Sequence, residues 1–255
     1  MLKDLINTHY DQLSDNDFYV LDFVQSHLAQ CSSMTINELS NACSISKSSI
    51  LRLSQKLGFS GYSEFKFSLK REIQNVDRSS DFYELSHKDI QFTEQLYNKI
   101  DKNPIFNGID KADSIYGFAT GWGQRNALEE LSRYLISCGK PMHIIPAATE
   151  LNIVLSKIKP TDLVIFISLS GDVENIITVL KALAIRAIPT LSITSFKNNH
   201  LAELSHYHLY YQSTDLGTYS GVEQKSFIGL QVMIDLLFRG FLQYRKNLKS
   251  GAGKD

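Results

Sequence analysis

Cysteine is scarce: three residues in 255, with no two at C-x-x-C spacing, exclude a disulfide framework and leave a zinc cluster without a ligand set. Cys31, Cys43 and Cys138 are expected instead as buried free thiols in a reducing compartment. Net charge is nearly absent too. At a formal value of -1, bulk charge offers no attraction to nucleic acid or anionic lipid, so any such surface must be local. Long apolar runs are missing: Leu163 to Ile167, the most apolar stretch, falls far short of the ~20 residues of a membrane helix. The N-terminus shows no apolar segment followed by a small-residue cleavage site. The expectation is a cytoplasmic protein with no membrane partner, and nothing in the pattern asks for a metal or a cofactor.

What is present is an ordinary globular composition, 43% hydrophobic and 21% charged, which predicts a chain folded throughout. Its length suits two domains. Residues 1–76 carry apolar residues at helical spacing and no strand-like run, which predicts an all-helical domain. Ser14 with Asp17 makes a capping-box pattern ahead of a stripe of Phe18, Leu21, Val24 and Leu28. Thr35 with Glu38 repeats that pattern before a short helix, Thr35 to Ala42, whose inward face is read as Ile36, Leu39 and Ala42. After a tight connection, Ser46 caps a third helix that runs to Leu57 and stops at Gly58. A closing helix, Ser63 to Ile73, packs Phe65, Leu69 and Ile73 inward.

Residues 77–89 are polar and aperiodic and read as a linker. A short helix around Phe92, Leu96 and Ile100 then ends before Pro104. The remainder, within a domain of residues 90–255, alternates strands with helices. Strands are expected at Ser114 to Ala119, Met142 to Ile145, Leu163 to Ser168, Thr190 to Thr194 and Tyr207 to Tyr211. Helices are expected at Gln124 to Cys138, Val173 to Ile185 and Gly221 to Tyr244, with a turn near Leu201 to Leu204. The chain is therefore α/β overall: an N-terminal helical bundle, then a three-layer α/β/α domain on a mainly parallel five-stranded sheet.

Two short helices joined by a tight turn can set the second in a DNA major groove. At about 100° per residue, Ile50, Leu53 and Leu57 share one side of the third helix, opposite Ser48, Ser49, Arg52, Gln55 and Lys56. Between Ser44 and Arg71 the basic residues are Lys47, Arg52, Lys56, Lys66, Lys70 and Arg71, against Glu64 as the one acid. Hydroxyls at the helix start admit a phosphate to the free N–H groups, and Arg52 and Gln55 have the donor geometry for guanine and adenine edges. The candidate DNA-contacting set is Thr35, Ser46, Lys47, Ser48, Ser49, Arg52, Gln55 and Lys56. On charge and pattern alone, a bundle with a solvated helix face fits equally well. The stretch TINELSNACSISKSSILRLSQKLGFSGYSEFKFSL, however, resembles the N-terminal DNA-binding domain of the RpiR family of bacterial regulators, including its K-L-G-F and G-[FY]-x-E-[FL]-K patterns from Lys56 to Lys66.

In the second domain two loops follow strands into helices: Thr120 to Gly123, and Ser168 to Asp172. Hydroxyls, amides and glycine suit a phosphate or a polyol at such positions, although serine and glycine also build plain βα turns. DLVIFISLSGDVENIITVLKAL resembles the core of the SIS (sugar isomerase) domain, which RpiR-type regulators join to the helical one. That resemblance implies a phosphorylated-sugar effector at Ser168, Ser170 and Gly171, with Thr120, Gly121, Trp122 and Glu223 completing the candidate ligand set. Val173 stands where relatives carry threonine. Trp122 is read either as a stacking surface for a sugar ring or as a packing residue. The resemblance further implies a regulator, in most cases a repressor of a carbohydrate operon, that acts on double-stranded operator DNA as a homodimer or dimer of dimers. The alternative is a phosphosugar isomerase, which needs a general base; Glu150, Glu223, His200, His206 and His208 are the candidates, none in a catalytic motif.

Overall fold

The computed structural model describes residues 2–74, 82–195, 199–220 and 222–251. The chain separates into two compact units, residues 1–81 and 82–255.

The first unit is helical: α1 (Leu2–His9), α2 (Asp15–Ser26), α3 (Leu28–Cys31), α4 (Ile36–Cys43), α5 (Lys47–Lys56) and α6 (Tyr62–Gln74). Both capping boxes form. The Ser14 N–H donates to the Asp17 carboxylate at 2.9 Å, and the Thr35 N–H donates to Glu38 at 2.6 Å. Leu21, Val24, Leu39, Ile50, Leu53, Leu57, Phe65 and Leu69 fill one core; the side chain of Ile73 lies outside the described residues. Three expectations need correcting. α1 precedes the first expected helix, its Leu2 and Ile6 set one turn apart and buried. The stripe ending at Leu28 is broken at His27, which leaves helical geometry before α3. In α4 the residue one turn after Leu39 is Cys43, so Cys43 is buried and Ala42 faces out. Cys31 and Cys43 are buried free thiols, held above their ordinary range by burial, whereas Cys138 is half-buried.

The second unit opens with α7 (Phe82–Asn98) and α8 (Asn103–Lys111). Of the expected linker, residues 77–81 lie outside the described residues and 82–89 form the first turns of α7. The physical reason is that Asp89, although polar, is buried and accepts hydrogen bonds from the N–H and hydroxyl of Thr214. β1 (Ile115–Ala119), α9 (Trp122–Ser137), β2 (Met142–Ile145), α10 (Ala148–Leu155), β3 (Leu163–Ile167), α11 (Ile177–Ile185), β4 (Thr190–Thr194), α12 (His200–Glu203) and β5 (Tyr207–Tyr210) follow. The five strands form one sheet in the order β2-β1-β3-β4-β5, every neighbouring pair parallel. β3 shows how the layers close: Leu163, Ile165 and Ile167 enter the core under α8, α9 and α13 (Ile228–Gly251), while Val164 and Phe166 enter the core under α10 and α11.

The last expected helix starts late. Gly221 lies outside the described residues, and Val222 to Lys225 form β7, antiparallel to β6 (Asp215–Tyr219), so that α13 begins only at Ile228. Phe227, placed by sequence in that helix, sits just before it and accepts from the Gln231 N–H at 3.1 Å.

Candidate functional site

The first surface is α5. Ser46 takes extended geometry and its Oγ accepts from the Ser49 N–H at 3.2 Å, closing the helix start as expected. Ser44, in left-handed geometry at φ 54, makes the tight turn that separates α5 from α4. Ile50, Leu53 and Leu57 are buried; Lys47, Ser48, Arg52 and Gln55 are exposed. The remaining candidates are already engaged. Thr35 spends its hydroxyl on the Glu38 carboxylate at 2.8 Å. Ser46 lies 2.9 and 2.8 Å from the hydroxyls of Ser48 and Ser49. Lys56 turns inward and donates to Asp17 at 2.5 Å. Burial alone would raise the Asp17 carboxyl, but the hydrogen bonds from Lys56 and Ser14 outweigh it and hold the group below the usual carboxylate range. Lys56 thus braces α5 against α2. On α6, Lys70 and Arg71 are exposed, while Lys66 donates to the Ser33 carbonyl at 3.3 Å.

The second surface follows from the strand order. β1 and β3 are neighbours, yet the chain leaves them in opposite directions across the sheet, toward β2 and toward β4. This is a topological switch point, where the loops beyond the carboxyl ends part and leave a crevice. Both candidate loops lie there. The Thr120 N–H donates to the Ile167 carbonyl at 3.1 Å, and the Thr120 hydroxyl reaches the Ser168 Oγ at 3.2 Å.

Ser168 is buried beneath its loop, where its Oγ also accepts the Gly171 N–H at 3.1 Å and its carbonyl accepts the Tyr211 hydroxyl at 3.3 Å. Burial pushes the Tyr211 phenol up, so it remains a donor. Ser170 is exposed at the loop tip, its Oγ accepting from the Asp172 N–H at 3.2 Å. Gly171 has φ 72, and a Cβ there would stand 2.0 Å from Asn199 Oδ1, so the position admits no side chain. Asn199 itself accepts from Ala202 N–H at 2.8 Å and donates to Thr194 at 3.1 Å. Sequence reasoning did not reach Asn199; its only local signal was a helix-capping residue before His200. In the first loop, Gly121 is the extended residue before α9 and Trp122 is 83% exposed. Val173 is buried in the core below the second loop, which fits its apolar character. A cavity of about 440 Å³ opens alongside, lined by Val173, Glu174, Ile177 and Lys181, by His200 and Glu203 of α12 and by Leu204 just after it, and not by Thr120 or Ser168.

Glu223 is on β7, exposed, with Lys225 at 3.7 Å. The candidate bases are scattered. Glu150 is exposed in the first turn of α10. His206 contacts Thr190 at 3.2 Å, at the amino end of β4, away from the carboxyl-end loops. His208 sits in β5, its ring 5.4 Å from that of Tyr210.

Two family models match the two units in order: a helix-turn-helix domain of the rpiR family over residues 1–76, and a SIS domain over residues 108–230. Along almost the whole chain, 249 residues align at 36% identity with the HTH-type transcriptional regulator GlvR of Bacillus subtilis, covering 98% of both proteins. The chain belongs to the RpiR family of transcriptional regulators. It is a regulator with a helix-turn-helix and a SIS domain rather than an enzyme, as the full-length match to GlvR shows and the sequence suggested. Its fold is that of the Vibrio vulnificus NanR protein complexed with ManNAc-6P, at 20% identity and a TM-score of 0.57 over 98% of this chain and 94% of that one. It is also similar to the sugar isomerase domain of an RpiR transcription factor from Sphaerobacter thermophilus, at 21% identity and a TM-score of 0.55 over 63% of this chain and 89% of that one. Among the described residues no helix is long and apolar enough to cross a membrane, and no cluster of metal-ligating side chains occurs.

Proposed function

We propose that this regulator acts in the cytoplasm, reads a double-stranded operator with α5, and represses carbohydrate-use genes under control of a phosphorylated sugar bound at the β1–β3 crevice. Lys47 and the start of α5 meet phosphates, while Arg52 and Gln55 meet base edges. In the crevice, Thr120, Ser170 and the N–H groups near Gly121 and Gly171 hold the phosphate, Trp122 flanks the sugar, and Ser168 positions both loops from below. A homodimer or a dimer of dimers would present paired recognition helices to a palindromic site. The observation that carries the ligand half is the meeting of the Thr120 and Ser168 hydroxyls at 3.2 Å across the switch point. The ligand class is further supported by the NanR structure, which holds ManNAc-6P on the same fold.

The test is a thermal-shift panel of phosphorylated and free sugars on the full chain and on Ser170→Ala. A ligand at a hundred times its Kd stabilises by about 2.7 kcal/mol. A shift with phosphorylated sugars only, reduced in Ser170→Ala and accompanied by changed operator retention, supports the reading. Equal shifts with the unphosphorylated sugars would overturn the phosphate site. Failure of the full chain to prefer any duplex over random DNA would overturn the operator reading.

A further inference from the structure

The exposed side of α5 is not wholly polar. Ile50 and Leu53 are buried, but Leu51 between them is 39% exposed. At about 100° per residue, Ile50, Leu53, Ser54 and Leu57 occupy an arc of about 100° against the core, and Leu51, Gln55, Ser48 and Arg52 share the opposite arc in that order. Leu51 therefore belongs to the same stripe as the two side chains able to read purine edges. It is not needed to close the core, which is complete behind it.

Its neighbour in the following turn is Gly61. A Cβ on Gly61 would lie 3.6 Å from a Leu51 methyl, within van der Waals contact. Because residue 61 has no side chain, the space beside Leu51 is left open and its tip is not covered from that side.

In the major groove the apolar feature on a base edge is the C5-methyl of thymine, which cytosine and uracil lack. Polar neighbours cannot sense it, whereas a leucine tip can. We propose that Leu51 is a specificity-determining residue that reads a thymine methyl group beside the bases met by Arg52 and Gln55. The inference rests on α5 being the recognition helix.

The experiment begins with the full-length protein selecting duplexes from a random pool. In the selected sequence each thymine is then replaced in turn by uracil, which removes the methyl and leaves the hydrogen-bonding edge unchanged. Affinity is measured for the wild-type chain and for Leu51→Ala. One replacement per half-site should weaken the wild-type chain about fourfold, the worth of one buried methyl-sized group. The same replacement should leave Leu51→Ala binding unchanged, and the variant should already bind the thymine duplex about fourfold more weakly. If no replacement distinguishes the two proteins, Leu51 does not read thymine. Selection of no duplex at all overturns the DNA reading itself, a separate outcome. The uracil series on the wild-type chain shows by itself whether a thymine methyl is read, and Leu51→Ala, checked to share the wild-type Tm, assigns that contact to Leu51.

Discussion

The two candidate surfaces are built in opposite ways. On α5 the outward residues stand on a helix whose core is finished without them, so Arg52 and Gln55 are spare to the fold. In the β1–β3 crevice the candidate residues are themselves structural: Ser168 and Gly171 are hydrogen-bonded into the buried base of their loop, and only Thr120, Ser170 and Trp122 are exposed. One surface separates function from stability, and the other merges them.

That contrast can be tested by substitution, in order of expected effect on stability. Gly171→Ala should be the most damaging, because it adds left-handed strain and drives a methyl into Asn199. A loss of about 2 to 5 kcal/mol is expected, read as a fall in Tm of roughly 5 to 15 °C. A near-wild-type Tm would mean the loop yields easily and the crevice is not rigid. Ser168→Ala removes the acceptor of the Gly171 N–H and the partner of Thr120 within a buried site, so about 1 to 3 kcal/mol should go.

Smaller still is the effect of the Asp17–Lys56 pair. The folded Asp17 carboxyl lies below its ordinary value, so its contribution is complete above the unfolded value near ~4 and fades as pH falls through the folded one. Urea unfolding of the wild-type chain between neutral pH and pH 3 should show this acid limb, and Lys56→Met should flatten it. An unchanged limb would remove the pair from the support of α5. At the end of the series, Arg52→Ala should change stability by no more than about 0.5 kcal/mol while costing operator affinity about tenfold or more. A large drop in Tm with that substitution would erase the contrast between the surfaces.

What sequence could show divides along similar lines. Capping boxes at Ser14 and Thr35, the cap at Ser46 and the apolar strands β2 and β4 were readable because each depends on residues a few positions apart. β6 and β7 were not: their residues are largely exposed, so no alternation marks them, and the stretch ran on into the helical pattern of α13. α10 went unassigned, although a parallel β2 and β3 require a crossover between them. For α5 the angle correctly set Ser48, Arg52 and Gln55 outward, but Ser49 and Lys56 are half-buried, Leu51 is exposed beside them, and the inward turn of Lys56 depends on Asp17, in another helix. In the crevice the motif pointed to the loop, yet the burial of Ser168 and the pressing of Asn199 against Gly171 arise only when distant segments fold together.

Two side chains of α7 have a practical consequence for dissecting the protein. Asp89 receives Thr214, and Thr93 accepts the Gln212 N–H at 3.0 Å, so the chain that leaves β5 is fastened to the helix by which the second unit begins. A shortened protein starting at residue 90, where composition first suggests a border, would keep one fastening and lose the other. The Thr214 hydroxyl would then lose its acceptor at the root of the β6–β7 hairpin. An autonomous sensor should therefore start no later than Phe82, and a fragment cut at residue 90 should show faster amide exchange at Thr214 than the whole chain.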